Sequence, residues 1–362
     1  MAFSGNKVSR GVWVCLACCL AAALLPPRAR SYSLNTGLDD PYIFKAEVRD
    51  WFTSGSIRYR IASLTPASWW LPHQDKIYMG STMDYRNLDS TLPVFSAEVR
   101  PLKWAAADFE VGDSRFSKGK AYIHNWMDGE KRALLFYNST VWFSPDHRDY
   151  AESSARLTGT TRLYSANAYF RVYRTSVRAL HDEYDVQHSL ELSAGYSWYE
   201  DRLRITQGAT ILSVDIFPNP PPLGAIAGLD SRFNMTWQGW RVGLRERTRI
   251  SKEWAFNAKF AFGPTMCYRG EGFWNLSSSS YGNLGSSRIR HKVTGQVLEL
   301  SASAEWKFWQ RFHLTAGYMG WYYRLTSGEQ NTYYANGTRT TEQITEFDAS
   351  RKGFFSSLSF KF

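Results

Sequence analysis

Apolar and polar residues alternate along several stretches of the chain, most clearly near its C-terminus. In 298–308 the even positions are Leu298, Leu300, Ala302, Ala304, Trp306 and Phe308, and the odd positions are Glu299, Ser301, Ser303, Glu305 and Lys307. A period of two is that of a β-strand with one apolar and one polar face. Together with the link 309–311 and a similar run at 312–324, it predicts a hairpin. Each strand has about the ~9–11 residues that a tilted strand needs to cross a bilayer.

The same pattern recurs along the chain and predicts about ten strands. We place them near 42–62, 77–99, 104–115, 162–174, 187–205, 236–249, 254–266, 293–308, 312–324 and 352–362. Short connections at 100–103, 251–253 and 309–311 alternate with long ones near 116–161, 206–235, 267–292 and 325–351. The link at 175–186 is longer than a simple turn. An even number of strands with short turns on one side and long loops on the other is typical of bacterial outer-membrane barrels.

The chemistry of the two faces favours a membrane. Aromatic residues make up 16% of the chain, and they share the apolar face with many alanines and glycines, as in a lipid-facing band. The other face has mixed charges, which suits a small wet lumen. The sequence therefore predicts an all-β fold, a closed antiparallel transmembrane β-barrel. A soluble β-sandwich is the alternative, because alternation by itself does not distinguish the two.

Three arginines, Arg241, Arg245 and Arg247, lie on one strand face. We expect them to pair with acidic residues of neighbouring strands, since a lone charge in a narrow interior is costly. Attraction of an anion into the barrel is the other interpretation.

Pro218 to Pro222 is a stiff extended segment that either presents a surface to a partner or only spans a loop. Asn336-Gly337 predicts a hairpin turn.

Both ends of the chain indicate export to the outer membrane. The last strand ends on Phe362 after alternating aromatics, which resembles the signal read by the barrel-assembly machinery. Residues 1–31 resemble a secretory signal, with Lys7 and Arg10 before the apolar run from Gly11 to Leu25. The predicted organisation is therefore a signal peptide at 1–31 and one barrel at 32–362. An uncleaved anchor is the alternative, but the run is shorter than the ~17–25 residues of a membrane-spanning helix.

Removal of the signal leaves Cys267 as the last of four cysteines, so no intramolecular disulfide is expected. No later apolar stretch is long enough for a membrane-spanning helix, and the mean hydropathy is −0.39. The formal net charge of +10 stays positive without the signal. It favours polyanionic neighbours such as lipopolysaccharide phosphates in outer-membrane lipid, or it serves solubility alone. Nucleic acid is not expected as a partner in this compartment.

The order of several motifs resembles the omptin family of outer-membrane proteases over most of the mature chain. These motifs are Met83-Asp84-Tyr85 on a strand, a proline-containing turn at 100–103, the strand end Ser114-Arg115 and the loop motif Asn125-Trp126-Met127-Asp128. Ala194-Gly195-Tyr196 and the hairpin 293–324 are also similar. The resemblance implies a ten-stranded barrel with a peptidase site at its outer end.

The resemblance also implies which catalytic groups to look for, and the sequence departs from them. Omptins have two aspartates before the Trp-Met-Asp motif and an Asp with a His in the fourth outer loop. Here Ile123, His124 and Asn125 precede the motif. The loop 267–292 offers Glu271 as its acid, and Trp274 stands where the His is expected.

A rearranged catalytic site would use His124 as base with Asp128 or Glu271 as partner. The alternative is that His124 is a solvated loop histidine and Asp128 a structural carboxylate. No metal-ligand spacing, nucleophile elbow or phosphate loop is found, so no cofactor or metal is predicted.

The leading functional hypothesis is a non-proteolytic, omptin-like surface protein that binds an extracellular protein or serves a structural role through its loops. A general porin is disfavoured, since barrels of roughly eight strands are filled by their own side chains and open channels appear near sixteen. The rival hypothesis is an omptin-type endoprotease that cleaves near basic residues with a rearranged site.

Overall fold

The computed structural model describes residues 42–362 except 67–75, 129–132, 137–138, 143–147, 179–184, 214–221, 277, 280–281 and 284–285. The predicted signal peptide and most of the proline-rich segment at 218–222 lie outside the described residues. No helix in the described part of the chain is long and apolar enough to span a membrane.

The described structure is built from antiparallel β-strands. They are β1 (Phe44–Pro66), β2 (Lys76–Arg86), β3 (Ser90–Leu102), β4 (Ala105–Asp128), β5 (Ala133–Phe136), β6 (Ser139–Trp142), β7 (Arg148–Arg178), β8 (Asp185–Ser213), β9 (Gly224–Arg249), β10 (Trp254–Trp274), β11 (Ser278–Ser279), β12 (Gly282–Asn283), β13 (Ser287–Trp309), β14 (Phe312–Tyr334) and β15 (Arg339–Lys361). The pairs β5–β6 and β11–β12 form small separate hairpins.

The other strands form one sheet that closes on itself. Its order is β15-β14-β13-β10-β9-β8-β7-β4-β2-β1-β3, and β1 pairs with β15 from Lys45 opposite Lys361 to Ala62 opposite Gln343. Strands β2 and β3 both lie between β1 and β4 and together occupy one position of the ring. They are separated at Asn87, which has a positive φ of 56°. The ring therefore has ten positions, which confirms the predicted closed antiparallel barrel of about ten strands.

The closing seam uses the end of the chain. The backbone N–H of Phe362 donates to the carbonyl of Phe44 at 2.8 Å, and the N–H of Phe44 donates back at 3.0 Å. The guanidinium of Arg311 lies 4.9 Å from the centre of the Phe362 ring. The terminal aromatic residue is thus part of the seam between β1 and β15.

Most strands are much longer than the sequence predicted. For example, β7 covers 148–178 instead of 162–174, and β15 begins at Arg339 instead of near 352. The segments predicted as long outer loops at 116–161, 206–235, 267–292 and 325–351 are consequently mostly strand. Both ends of the link predicted at 175–186 are strand, because β7 reaches Arg178 and β8 begins at Asp185. The turn at Asn336-Gly337 is confirmed, with Gly337 at φ 86° and Tyr334 bonded to Thr338.

The alternation pattern did not predict the full strand lengths, because the apolar and polar faces exchange character partway along a strand. In β13 the inward residues Ile289, Val293 and Val297 are apolar and buried, whereas the inward Glu299 and Glu305 further along are acidic. The outward face changes in the opposite sense, from arginines at 288 and 290 to Leu298, Leu300 and Trp306. The outer half of the strand has water on its outside, and the periplasmic half has lipid there.

The lipid-facing band is visible as exposed aromatic and aliphatic side chains on the periplasmic half of the wall. They include Val48, Phe52, Phe95, Phe109, Phe170, Leu192, Tyr196, Trp240, Val242, Trp254, Phe256, Trp306, Leu314, Tyr318, Phe354 and Leu358. Such a band matches the apolar belt and aromatic girdles of outer-membrane barrels. It also confirms that the aromatic face of the alternating pattern is the outer face.

Arg351 crosses the interior between the two halves of the barrel and is 2% exposed. Its guanidinium donates to the Tyr199 hydroxyl at 2.8 Å, to Thr53 Oγ1 at 2.9 Å and to Asp201 Oδ1 at 3.1 Å. It also donates to the carbonyl of Leu88, in the break between β2 and β3, at 3.2 Å. The Arg351 side chain thereby links β15, β1, β8 and the segment between β2 and β3. Its positive charge is paired with the Asp201 carboxylate.

We predict that Arg351→Ala lowers the free energy of unfolding by about 3–5 kcal/mol, because it leaves the Asp201 carboxylate buried without its cation. The measurement is urea unfolding of the refolded barrel in lipid bilayers, followed by tryptophan fluorescence. The matched control is Arg324→Ala, since Arg324 on β14 forms an exposed pair at 3.8 Å with Asp348 on β15, the strand of Arg351. The control is expected to change stability by less than about 1 kcal/mol; equal effects of the two substitutions would contradict the buried-pair account.

Candidate functional site

The periplasmic half of the lumen is filled by paired charges, which we call the inner network. Arg241 pairs with Glu299, Arg245 with Glu98 at 2.8 Å and Glu191 at 2.5 Å, and Arg247 with Glu305 at 2.8 Å. Further members include Lys45, Glu47, Arg49, Arg100, Lys259 and Lys361. The arginine row on β9 therefore pairs with acids, as predicted. Of these, Glu191 on β8 lies on a neighbouring strand, whereas Glu98 on β3 and Glu299 and Glu305 on β13 lie on strands that are not adjacent to β9.

A cavity of about 200 Å³ lies among the charged side chains of the inner network. Each of its glutamates, at 47, 98, 110, 191, 299 and 305, has at least one Arg or Lys partner within 4.0 Å, whereas Asp108, which also lines the cavity, accepts hydrogen bonds from Tyr169 and Asn167. A carboxylate held by cations is stabilised in its charged form and is a poor proton acceptor. The glutamates of the inner network are thus suited to charge compensation in a narrow interior rather than to acid–base chemistry.

The outer half of the lumen is filled by an aromatic plug. Its members include Tyr59, Tyr85, Tyr199, Phe233, Trp237, Tyr268, Trp321, Tyr323 and Phe347, all 5% exposed or less. Tyr59 stacks on Phe233 at a centroid distance of 5.7 Å and on Phe347 at 5.8 Å. Trp237 contacts Tyr268 at 4.5 Å and Tyr323 at 4.8 Å. These ring contacts leave the lumen closed by packed side chains.

His291 lies inside this plug and is 1% exposed. Its ring is 5.4 Å from that of Tyr59 and 5.3 Å from that of Phe233. Nε2 lies 2.8 Å from Gln330 Oε1 and Nδ1 lies 3.3 Å from the Tyr268 hydroxyl, which fits a neutral imidazole that donates to the amide oxygen. Burial lowers the pKa of His291 to about 4.

His124 lies in a different environment, on the outer wall of β4. Met83, Tyr85 and Ala121 are buried in the core, and His124 belongs to the opposite face, with Thr82 and Glu152 as its cross-strand partners. Its Nδ1 is 3.5 Å from Glu152 Oε1 and 3.7 Å from Asp149 Oδ2. The three side chains are each about 30% exposed. We call these three residues the wall cluster.

The structure does not bring the three predicted site residues together. His124 and Asp128 are both on β4, where Asp128 is the last residue, and the Asp128 side chain lies outside the described residues. Glu271 is on β10, bonded to Arg269 at 2.6 Å, and β10 is four positions around the ring from β4. Neither His124 nor Glu271 is a loop residue, because the strands extend past both.

The sequence does not identify Asp149 and Glu152 as neighbours of His124. Asp149 and Glu152 both fall in the segment 116–161 that is predicted to be a loop, and a loop has no strand register from which cross-strand neighbours can be predicted. Only the pairing of β4 with β7 places Glu152 directly opposite His124. A strand prediction extended to residue 148 would have been needed to suggest the wall cluster.

Fold and interior together define an outer-membrane β-barrel with a filled lumen. The profile of the Protochlamydia outer membrane protein family, Pom, matches residues 173–357, just over half of the 362-residue chain. The chain belongs to this family, and its place is the bacterial outer membrane. No curated protein matches the sequence.

Among solved structures, the outer membrane protease OmpT from Escherichia coli is similar, with a TM-score of 0.62 and 12% identity over 92% of this chain and 99% of that chain. At this identity the similarity concerns the fold, which is omptin-like. The translocator domain of the autotransporter NalP from Neisseria meningitidis gives a TM-score of 0.26 and 8% identity over 100% of both chains. A Pseudomonas aeruginosa FadL homologue gives 0.26 and 7% over 88% of this chain and 90% of that chain. Scores this low add nothing to the fold assignment.

The buried His291 makes stability depend on pH. Its pKa is lowered from the ordinary 6.5 to about 4, so between these values the unfolded chain binds more protons than the folded barrel. Its contribution is therefore complete above pH ~6.5 and is lost, by about 3 kcal/mol, as the pH falls to about 4. We predict that His291→Gln flattens the urea-unfolding free energy against pH in this window.

The matched control for this pH series is His188→Gln, at a partly exposed histidine on β8. This substitution is expected to keep the wild-type pH slope. A wild-type slope retained in His291→Gln would contradict the assignment, whatever the substitution does to stability at pH 8.

Proposed function

We propose that this protein is a non-proteolytic surface barrel that acts through its outer wall and outer loops, as a binding or structural component of the outer membrane. The observation behind this proposal is the surroundings of His291. Among the residues that the structure describes, His291 is the histidine that lies in the outer half of the lumen. An omptin-like fold is expected to place its catalytic groups in that region. Yet it is enclosed by aromatic rings and bonded to the amide of Gln330 rather than to a carboxylate.

The chemistry explains why this arrangement disfavours peptide hydrolysis. A water molecule that attacks an amide needs a base within hydrogen-bond reach and a base pKa near the working pH. Burial lowers the pKa of His291 to about 4, so it is a weak base. The rings of Tyr59, Phe233 and Tyr268 occupy the space that a peptide would need beside the imidazole.

The proposed partners follow from the outer wall. Above the lipid-facing band the wall presents basic residues such as Arg202, Arg204, Arg232 and Arg269, all about half exposed or more. We propose that they lie against lipopolysaccharide phosphates and that the loops between strands contact an extracellular protein. Recognition of Phe362 by the barrel-assembly machinery belongs to the same proposal.

The rival function is an endopeptidase that uses the wall cluster. The specific observation in its favour is that His124 lies within 3.7 Å of two carboxylates. An imidazole oriented by a carboxylate is a common general base. The location opposes it, because the cluster is on a convex outer wall rather than in a cleft that could hold a peptide.

The deciding experiment incubates the refolded barrel, with lipopolysaccharide, against peptides that contain paired basic residues, with a refolded omptin as positive control. We predict no cleavage above the blank. Cleavage that disappears in His124→Ala but persists in the matched variant His188→Ala would establish the rival. Cleavage that survives both His124→Ala and Glu271→Gln would contradict the proposal and place the catalytic groups elsewhere in the chain.

A further inference from the structure

We propose that the wall cluster of His124, Asp149 and Glu152 binds a divalent first-row transition-metal ion, for which Zn²⁺ is the appropriate probe. Within the described part of the chain it is the one group of three His, Cys, Asp or Glu side chains whose ligand atoms lie within 4.8 Å of one another. The proposal does not rest on the proposed function, since metal binding is measured directly whether or not the barrel cleaves peptides.

The distances inside the wall cluster fit a shared ion better than direct hydrogen bonds. His124 Nδ1 is 3.5 Å from Glu152 Oε1 and 3.7 Å from Asp149 Oδ2. Both separations are at or beyond the limit of an N–H···O hydrogen bond. Metal–ligand bonds of about 2.0–2.1 Å at a tetrahedral angle place two ligand atoms about 3.3 Å apart. Small side-chain rotations would therefore bring the three atoms onto one ion.

A β-bulge gives the cluster its third member. On β7, Ala151 pairs with Asn125 and Asp149 pairs with Trp126, so Tyr150 is an extra residue between them. Without the bulge, Asp149 and Glu152 would point to opposite faces, because they are an odd number of residues apart. The bulge turns Asp149 to the face of Glu152 and His124, and bulges commonly re-aim a side chain in this way.

Charge and exposure also suit a cation. The two acidic side chains attract a cation, and with the imidazole they offer it three ligand atoms. Because each side chain is about 30% exposed, water can complete the coordination shell. One nitrogen and two carboxylate oxygens suit zinc-like ions, whereas magnesium prefers oxygen ligands alone.

The sequence predicts no metal because no compact ligand spacing is present. The ligands come instead from two strands, and pairing of β4 with β7 brings them together on the outer wall. The site would cross-link the outer ends of these two strands, on either side of the segment 129–147 that joins them. Metal binding would consequently raise the thermal stability of the barrel.

The test measures Zn²⁺ binding to the refolded full-length barrel in detergent, by competition with a chromophoric chelator. We expect saturable binding of one ion, weakened at least about tenfold in His124→Ala and in Glu152→Gln. The matched control is His188→Ala, because His188 is a partly exposed histidine that lies 3.9 Å from the carboxylate of Glu246 and outside the wall cluster. It is expected to bind Zn²⁺ as the wild type does, and Mg²⁺ is expected to bind the wild type much more weakly.

A second measurement protects the test against misfolded variants. Heat-modifiable gel mobility confirms that each variant is a closed barrel, and Glu152→Gln replaces His124→Ala if the latter fails to fold. Zn²⁺ is expected to raise the melting temperature of the wild type and of His188→Ala but not of the cluster variants. The proposal is overturned if saturable binding is absent, if the cluster variants retain wild-type affinity, or if His188→Ala loses as much affinity as they do.

Discussion

A barrel of ten strands leaves little room beyond its own side chains, so every inward side chain must find its partners inside. Most of the interior meets this constraint in two ways, although a few described hydroxyls such as those of Ser357 and Ser359 have no hydrogen-bond partner. Towards the periplasm it pairs charges, as between Arg245 and the glutamates at 98 and 191. Towards the outside it packs rings around Tyr59 and Trp237. Arg351, bonded to Asp201, lies between the two regions and links strands across the ring.

The polarity of the outer wall is opposite to that of the interior at the same height. Where the interior is charged, the wall is apolar, as at Trp240 and Val242 on β9. Where the interior is aromatic, the wall is polar, as at Arg232 on the same strand. A single strand therefore passes from one solvent to another, and its inward and outward faces exchange character at the membrane surface. Polar groups that are exposed to water thus lie on the outer wall and its rim, where the wall cluster is found.

The periplasmic half of the barrel was predictable from sequence, because lipid on one side and paired charges on the other produce regular alternation, as in 298–308. The outer half was not. There the inward face mixes His291 and Gln330 with rings, and the outward face is irregularly polar, so the strands were read as loops. The paired role of Arg241, Arg245 and Arg247 was predicted correctly from the cost of isolated charge.

The candidate site was less predictable than the fold. His124 was identified from its place before Trp126, but its neighbours Asp149 and Glu152 depend on strand register and on one bulge. Neither is encoded in a local motif, because a shift of one residue on β7 would remove Asp149 from the shared face. Asp128 and Glu271 were selected by resemblance, and Glu271 lies far around the ring from His124.

The lumen is closed by packed rings in its outer half and narrowed by paired charges around a cavity of about 200 Å³ in its periplasmic half, which leaves the outer wall and rim as the functional surface. Single-channel recording in planar lipid bilayers tests it directly, with a general porin reconstituted in parallel. The account predicts that the refolded barrel inserts, as shown by heat-modifiable protein recovered from the bilayer lipid, without stepwise conductance of porin size. Steady porin-sized conductance steps from the wild-type barrel would show an open lumen and would contradict the account.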